Sequence, residues 1–318
     1  MLGKEWPRVA VVGAGAVGCY FGGMLARAGA PVTLIGRAPH VDAINRDGLF
    51  IDSVHFREHV RVSASAEIGA AHDAQLVLFT VKTVDTEGTA KLLAPYLAPE
   101  TIVVSLQNGV DNAARMDFAA GIHAIPSVVY IAAVMIGLGR VKHLGRGDLI
   151  IGNPFKNSSS NHASRDAELA GIAATFTRAG VPCRVSENIT VELWEKLIMN
   201  CAYNAISALS RTKYGRIAQD PGTIELMNRV VIEAVAVGNA VGVPLSAESM
   251  IAAVGQLGKA MPEALSSTAQ DIARGKPTEI DSLNGFLVGR GREVGVPTPA
   301  NETLYSLVKL LEQAPAVR

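Results

Sequence analysis

The sequence lacks an excess of charge of either sign. Of its 318 residues, Lys plus Arg and Asp plus Glu number 29 each, so the formal net charge is zero. Proteins that bind nucleic acid normally carry a basic excess or a basic patch, and neither is visible here. Charged residues make up only 18% of the chain and hydrophobic residues 49%. This composition excludes a disordered chain and indicates a globular protein with a large core.

Cysteine is scarce, and long apolar runs are absent. The three cysteines, Cys19, Cys183 and Cys201, are odd in number, far apart and outside any metal-binding spacing. A disulfide framework or a structural zinc site is therefore not expected, and a reducing compartment fits better. The most apolar run, from Ile125 to Gly139, is too short to cross a bilayer. The first strand begins too early for a signal peptide. We expect a cytoplasmic protein that binds neither nucleic acid, membrane nor metal.

The order of apolar runs predicts an α/β fold. Four short β-branched runs read as strands, with stretches of helical length between most of them: Arg8–Val12, Val32–Ile35, Leu76–Val81 and Ile102–Ser105. That alternation predicts βαβ units and a parallel sheet. The glycine-punctuated stretch from Ile122 to Gly152 predicts added hairpin strands, and the polar stretch Asn153–Asp166 predicts a surface loop.

Helical periodicity dominates from Asn188 onward, interrupted by prolines. We therefore predict a Rossmann-type parallel sheet domain with added β-strands over residues 1–187. An all-α C-terminal domain over residues 188–318 should follow it.

A glycine-rich segment follows the first predicted strand: Gly13-Ala14-Gly15-Ala16-Val17-Gly18. Gly13 would permit a tight turn, Gly15 would let backbone N–H groups approach a pyrophosphate, and Gly18 would let helix and strand pack closely. The position between a strand and a helix predicts a dinucleotide site. The alternative is a glycine-rich turn that binds nothing.

Polar residues stand where predicted strands end. Arg37 follows the second strand, where NAD-binding proteins usually carry Asp or Glu. Because arginine donates bidentately to phosphate oxygens, it favours NADP(H) over NAD(H), although it could also be an ordinary surface residue. Lys82 and Asn108 follow the next two strands. Ligands bind at this edge of an open parallel sheet, but taken alone the two are more often a solvated lysine and a turn residue.

A narrow polar stripe lies on the otherwise apolar segment Glu192–Leu209. At about 100° per residue, Asn200, Asn204 and Ser207 lie within about 80° of Lys196. Asparagine is a poor helix former, so the stripe favours a lining of a polar cleft over an ordinary solvated helix face, which stays the alternative. Farther along, Thr278 reads as a helix N-cap, so Glu279 taken alone reads as an acid in a first helical turn.

Together these segments resemble the ketopantoate reductase (2-dehydropantoate 2-reductase) family. The matching pieces, in family order, are GAGAVG at 13–18, Arg37, TVK ending at Lys82, LQNG with Asn108, WEKLIMNCAYN at 194–204 and SSTAQDIARGKPTEIDSLNG at 266–285. The helix motif and the Ser-to-Glu segment are specific, whereas many dehydrogenases share the glycine loop. The resemblance implies NADPH-dependent reduction of 2-dehydropantoate to (R)-pantoate, in the synthesis of pantothenate and coenzyme A.

The resemblance also implies roles for individual residues. Lys196 would donate the proton, and Asn200, Asn204 and Ser267 would hold the substrate. Asn108 would touch both nicotinamide and substrate, and Lys82 would hold the cofactor. Glu279 would serve in catalysis and contact the cofactor or the substrate.

One position departs from the pattern, and other functions stay open. Tyr214 stands where some family members have an asparagine that contacts substrate. The chain could therefore be a paralogue that reduces another 2-keto acid, or an opine-type dehydrogenase of similar architecture. A non-catalytic NADP(H) sensor is a third alternative, although it would not need Lys196 or the asparagine stripe. The sequence does not give the oligomeric state, and a homodimer stays open.

Overall fold

A computed structural model describes residues 5–154 and 162–313, except for the side chains of residues 162–164. The chain divides into two compact units, Met1–Ile189 and Thr190–Arg318. The predicted fold class is confirmed: a mostly parallel sheet with helices forms the first unit, and helices form the second.

Within the described residues, ten strands form one sheet, in the order β4-β3-β9-β8-β7-β6-β1-β2-β5, with β10 alongside β9. Their bounds are Val9–Val12 (β1), Val32–Ile35 (β2), Leu49–Asp52 (β3), Arg57–Val60 (β4), Ser63–Ser65 (β5), Leu76–Phe79 (β6), Ile102–Ser105 (β7), Ile125–Gly137 (β8), Arg140–Ile151 (β9) and Cys183–Val185 (β10).

The central strands are parallel and fully buried. β1 pairs with β2 on one side and β6 on the other, and Val11 lies opposite both Leu34 and Leu78. All four residues of β1 are buried, as expected for a strand covered on both faces. Strand β6 ends at Phe79 rather than at the predicted Val81. Beyond it, the Thr80 hydroxyl donates to the carbonyl oxygens of Gly13 (2.6 Å) and Val12 (3.1 Å), which ties this strand end to the glycine loop.

The added hairpin is confirmed, but three other strands were missed. β8 and β9 form a long antiparallel pair with three register shifts. β3, β4 and β5 occupy the interval between β2 and β6, where only a stretch of helical length was recognised. Each has three or four residues and little buried apolar surface apart from β3, so its own sequence carries almost no strand signal.

Five helices accompany the sheet in the described part of the first unit: Ala16–Arg27 (α1), Ala38–Asp47 (α2), Thr86–Leu93 (α3), Asn112–Ala120 (α4) and His162–Arg178 (α5). The surface loop predicted for Asn153–Asp166 is only partly testable, because residues 155–161 lie outside the described residues. Its last residues are helical, since α5 begins at His162, and the predicted loop was too long at that end.

The second unit is helical throughout its described residues. The helices are Ile189–Ser210 (α6), Tyr214–Ile217 (α7), Pro221–Ala240 (α8), Ala247–Ala260 (α9), Ser267–Ala273 (α10), Asn284–Val294 (α11) and Pro299–Gln313 (α12). Pro221 begins α8, behind the N-cap Asp220, whose carboxylate accepts from the Thr223 N–H at 2.9 Å. In the part of the chain that the structure describes, no helix has the length and apolar character needed to span a membrane.

Candidate active site

The glycine loop in the first unit has the geometry expected of a backbone cradle. Gly13 has a φ of +110°, and the Gly13 and Ala14 N–H groups each donate to the Ile35 carbonyl at 2.9 Å. A Cβ on Gly18 would lie 2.2 Å from the Gly13 carbonyl oxygen, so only glycine fits there. By contrast, a Cβ on Gly15 would meet nothing within 4 Å. Gly15 is the N-cap of α1, so open space lies beside the start of that helix, where backbone N–H groups lack partners within the helix.

Arg37 lies directly beside this loop. A Cβ on Gly36 would approach the Ala14 side chain to 2.6 Å, so the end of β2 passes against the glycine loop. Arg37 follows as the N-cap residue of α2, and its side chain is exposed. A backbone cradle with an exposed guanidinium beside it is a set of groups that suits an anionic ligand such as a dinucleotide.

Lys82 and Asn108 follow adjacent parallel strands, because β6 pairs with β7 with Phe79 opposite Ser105. Hydrogen bonds join the two segments beyond these strand ends. The Asn108 carbonyl accepts from the Thr83 hydroxyl (3.1 Å) and from the Asn112 side-chain amide (2.6 Å).

Sequence reasoning missed a second residue that joins these segments, the buried Gln107. Its Nε2 donates to the Val81 carbonyl (3.1 Å) and the Thr86 hydroxyl (2.8 Å), while its Oε1 accepts from Ser105 at 2.9 Å. The available signal was a polar residue directly after the run Ile102–Leu106, in which only Ser105 is polar. A buried polar side chain is normally there to satisfy other polar groups.

In the second unit, the polar stripe of α6 divides into members with different partners. Lys196 and Asn200 are half-buried, whereas Asn204 is only 3% exposed. Ser207 is fully buried. It donates to the Thr212 carbonyl at 2.9 Å and accepts from the Ser266 N–H at 3.3 Å. Ser207 therefore serves the interior of the unit, although it shares the helix face of Lys196.

Asn204 and Ser267 come together although 62 residues separate them in the chain. The Asn204 side-chain amide contacts the Ser267 hydroxyl at 3.5 Å. The neighbouring Ser266 joins the two helices that carry this contact. Its hydroxyl donates to the Asn204 carbonyl in α6 (3.1 Å) and, as the N-cap of α10, accepts from the Ala269 N–H (3.0 Å). The phenol of Tyr214 reaches the same amide and donates to Asn204 Oδ1 at 3.2 Å.

The segment that carries Glu279 differs from its prediction. Thr278 Oγ1 accepts from the Ile280 N–H at 3.2 Å, but the helix that follows is a single 3-10 turn, Ile280–Ser282, with Glu279 at its N-cap position. A true α-helix begins only at Asn284. The prediction that Glu279 opens a new helix was therefore wrong by one turn.

α12 holds this segment in place. Lys309 contacts both Asp281 and Glu312 at 2.9 Å, and Glu312 accepts from the Thr278 N–H at 2.7 Å. The hydrogen bond from Lys309 to Asp281, and to a smaller degree the one to Glu312, raise the pKa of the Lys309 ammonium. Contacts on both sides of Glu279 thus fix the backbone that presents it.

Among the described residues, no group of three or more His, Cys, Asp or Glu side chains could hold a metal ion. The polar clusters are instead made of amides, hydroxyls, lysines and an arginine. These groups bind anionic and carbonyl-containing organic molecules through hydrogen bonds.

Two family models match most of the chain. The model described as Ketopantoate reductase PanE/ApbA matches residues 9–155, and the one described as Ketopantoate reductase PanE/ApbA C terminal matches residues 188–312. A 2-dehydropantoate 2-reductase of Pyrococcus horikoshii is 33% identical over 306 residues, covering 96% of this chain and 97% of that protein.

Solved structures show the same fold. A PanE/ApbA family ketopantoate reductase from Ralstonia eutropha JMP134 is 46% identical, with a TM-score of 0.87 over 96% of this chain and 98% of that one. A D-mandelate dehydrogenase solved with NADH and anilino(oxo)acetate has a TM-score of 0.88 over 96% of this chain and 97% of its own, at 23% identity. The second likeness concerns the fold.

Proposed function

The chain belongs to the ketopantoate reductase family, and we propose that it reduces 2-dehydropantoate to (R)-pantoate with NADPH, a step in the synthesis of pantothenate and coenzyme A. The observation that carries this proposal is the cluster on α6. A half-buried Lys196 shares a helix face with Asn200 and Asn204, and Asn204 contacts Ser267. An ammonium and three neutral polar groups suit a small anionic keto acid.

The first unit supplies the residues proposed to bind the cofactor. Residues 13–18 offer the N–H groups of α1 to a pyrophosphate, and Gly15 leaves room for its approach. Arg37 would bind the 2′-phosphate, which favours NADPH over NADH. Lys82 would contact the cofactor's phosphate or ribose, and Asn108 would hydrogen-bond the nicotinamide. When bound, NADPH supplies the hydride.

Lys196 is proposed to supply the proton. As the C2 ketone is reduced, negative charge grows on its oxygen, and a positioned ammonium stabilises that charge and then protonates the oxygen. Asn200, Asn204 and Ser267 would hold the substrate, and Glu279 would contact it from the segment clamped by α12.

A second candidate is the reduction of another 2-keto acid, because Tyr214 contacts Asn204 within the proposed substrate cluster. The test is NADPH consumption by the purified protein with 2-dehydropantoate and a panel of other 2-keto acids, beside an NADH control. Fast, NADPH-selective turnover of 2-dehydropantoate supports the first proposal. Turnover of another acid alone moves the protein to the second, and NADPH binding without any turnover indicates a sensor.

Lys196→Ala tests the catalytic assignment in the same assay. We expect kcat to fall by about 100- to 10,000-fold, the usual contribution of a positioned acid. NADPH affinity, measured by fluorescence titration, should stay within about twofold, because the residue is not proposed to bind the cofactor. Lys259→Ala removes an exposed lysine near the end of α9 and is the matched control. Wild-type turnover by Lys196→Ala would remove this residue from its proposed role.

A further inference from the structure

We infer that Tyr214 is a positioning residue: its hydroxyl orients the Asn204 side-chain amide so that the NH₂ group, and not the oxygen, faces the carboxylate of the 2-keto acid. The inference rests on the proposed function, since it concerns the same substrate cluster. It assigns the carboxylate, a group common to all 2-keto acids, as the group that this part of the cluster recognises.

The contact between Tyr214 and Asn204 decides which end of the amide is presented. The oxygen and the NH₂ group of asparagine have nearly the same shape, so their partners determine the orientation. Tyr214 donates to Asn204 Oδ1 at 3.2 Å, and Asn204 Nδ2 then faces Ser267 Oγ at 3.5 Å. Asn204 is 3% exposed. Exchange of the two ends would make the phenol accept from the NH₂ group, and the phenol hydrogen would then lose the acceptor that Oδ1 provides.

The phenol is itself held in place. Its ring lies against that of Tyr203, with centroids 4.4 Å apart, and its backbone N–H donates to the Ala264 carbonyl at 3.0 Å. Tyr203 is anchored in turn by a 2.9 Å bond to the Val254 carbonyl. Burial, and to a smaller degree the neighbouring Tyr203, raise the pKa of Tyr214, so the phenol stays protonated and keeps its donor hydrogen.

The resulting hydrogen bonds all run in one direction. Tyr214 donates to Asn204, and Asn204 donates to Ser267, whose hydroxyl hydrogen therefore points away from Asn204. Ser267 is exposed, so that hydrogen is available to a ligand. Together with the second N–H of Asn204, this hydrogen gives the cluster two donors for a ligand. Such a set matches the acceptor oxygens of a carboxylate, which donates no hydrogen bond.

Tyr214→Phe keeps the ring and removes only the donor. We expect KM for the 2-keto acid to rise about 5- to 10-fold, the value of one net hydrogen bond, while kcat changes by less than about threefold. KM for NADPH and the melting temperature should stay near wild type. Tyr96→Phe, at an exposed tyrosine of the first unit, is the control for loss of a phenol hydroxyl.

Two substrates separate the carboxylate from other groups. 2-Dehydropantoate and 3,3-dimethyl-2-oxobutanoate differ only in the terminal hydroxyl, so Tyr214→Phe should raise KM by the same factor for both. In an Asn204→Ala background the substitution should have no further effect, because Tyr214 acts through Asn204. Asn204→Asp replaces the NH₂ donor with an acceptor of similar shape and should raise KM more than Tyr214→Phe does. If Tyr214→Phe does not fold, a raised KM in Asn204→Asp still tests the assignment.

Three results would overturn the inference and leave the proposed function standing. The first is an unchanged KM in Tyr214→Phe, and the second is a rise in KM for 2-dehydropantoate but not for 3,3-dimethyl-2-oxobutanoate. The third is a rise in KM from Tyr214→Phe that is as large in the Asn204→Ala background as in the wild type. Wild-type affinity for the keto acid in Asn204→Asp would overturn it as well. A wild-type protein that turns over no acid of the panel would instead overturn the proposed function, and this inference with it.

Discussion

Single residues decide cofactor choice and substrate contacts in the proposed mechanism, and Arg37 is the clearest case. It is the second residue after β2 and lies beside the glycine loop, yet it also caps α2 with its backbone. Its carbonyl accepts from the His40 and Val41 N–H groups at 2.9 and 3.2 Å, and these bonds do not depend on the side chain. A substitution can therefore remove the guanidinium while the helix start is kept.

Arg37→Ala should weaken NADPH far more than NADH. Loss of charge-assisted hydrogen bonds to a phosphate costs about 1.5–3 kcal/mol, so KM for NADPH should rise about 10- to 100-fold. KM for NADH should change by less than about threefold, because NADH has no 2′-phosphate. Arg46→Ala, which removes an exposed arginine from the same helix, should change neither value. Equal losses for both cofactors would contradict the 2′-phosphate assignment.

At the scale of elements, the glycines of the loop and α1 serve two different purposes. Gly18 is required by the fold, because the atom that any side chain would approach first is the backbone oxygen of Gly13. Gly15 is under no such constraint, since the space beside it is open and its φ of −85° suits any residue. Its absence of a side chain matters only if a ligand occupies that space.

Gly15→Ala and Gly18→Ala should therefore fail in different ways. Gly15→Ala should unfold in urea within about 1 kcal/mol of wild type, the usual cost of alanine at an N-cap, but bind NADPH at least about tenfold more weakly. Gly18→Ala should lose about 1–3 kcal/mol of unfolding free energy through overpacking. Gly88→Ala, in α3 with open space around it, is the control for a helical glycine and should leave NADPH binding unchanged. Normal NADPH affinity in Gly15→Ala would reject the cradle.

The stability of the whole molecule should depend on pH through a buried histidine in the first unit. His143, on β9, is 3% exposed and stacks on Tyr20 with ring centroids 4.3 Å apart. Its Nε2 contacts the Arg146 carbonyl and must donate to it, so Nδ1 accepts from the Ser53 hydroxyl at 3.1 Å in the neutral ring. Burial lowers the pKa of His143 below its ordinary value of 6.5.

A lowered histidine pKa means that the unfolded chain binds the proton more readily than the folded one. The unfolding free energy should therefore decrease as the pH falls below 6.5, before the carboxylates begin to titrate. His143→Gln removes this titration, so its urea unfolding should vary less between pH 7.5 and pH 5 than that of the wild type. The exposed His72 provides the control variant, His72→Gln. Identical pH dependence in wild type and His143→Gln would reject this role for His143.

Much of the fold was accessible from local patterns. Buried parallel strands such as β1 and β6 are short, wholly apolar runs, and the prolines that interrupt the second unit mark helix boundaries. β3, β4 and β5 were not accessible, because they lack the continuous buried apolar run of β1 and are stabilised by their neighbours in the sheet rather than by their own residues. The glycine loop was recognised because the strand, the turn and the helix are contiguous in the chain.

Residue types, their periodicity and their order were enough to predict the α/β class, the family resemblance and the list of site candidates. The contacts of each candidate became known only from the folded chain. Helical angles placed Ser207 and Asn204 on one face of α6, but Ser207 bonds into the interior while Asn204 meets Ser267 and Tyr214. The physical reason is that hydrogen-bond partners distant in the chain are brought together by the way helices pack, which no local pattern records.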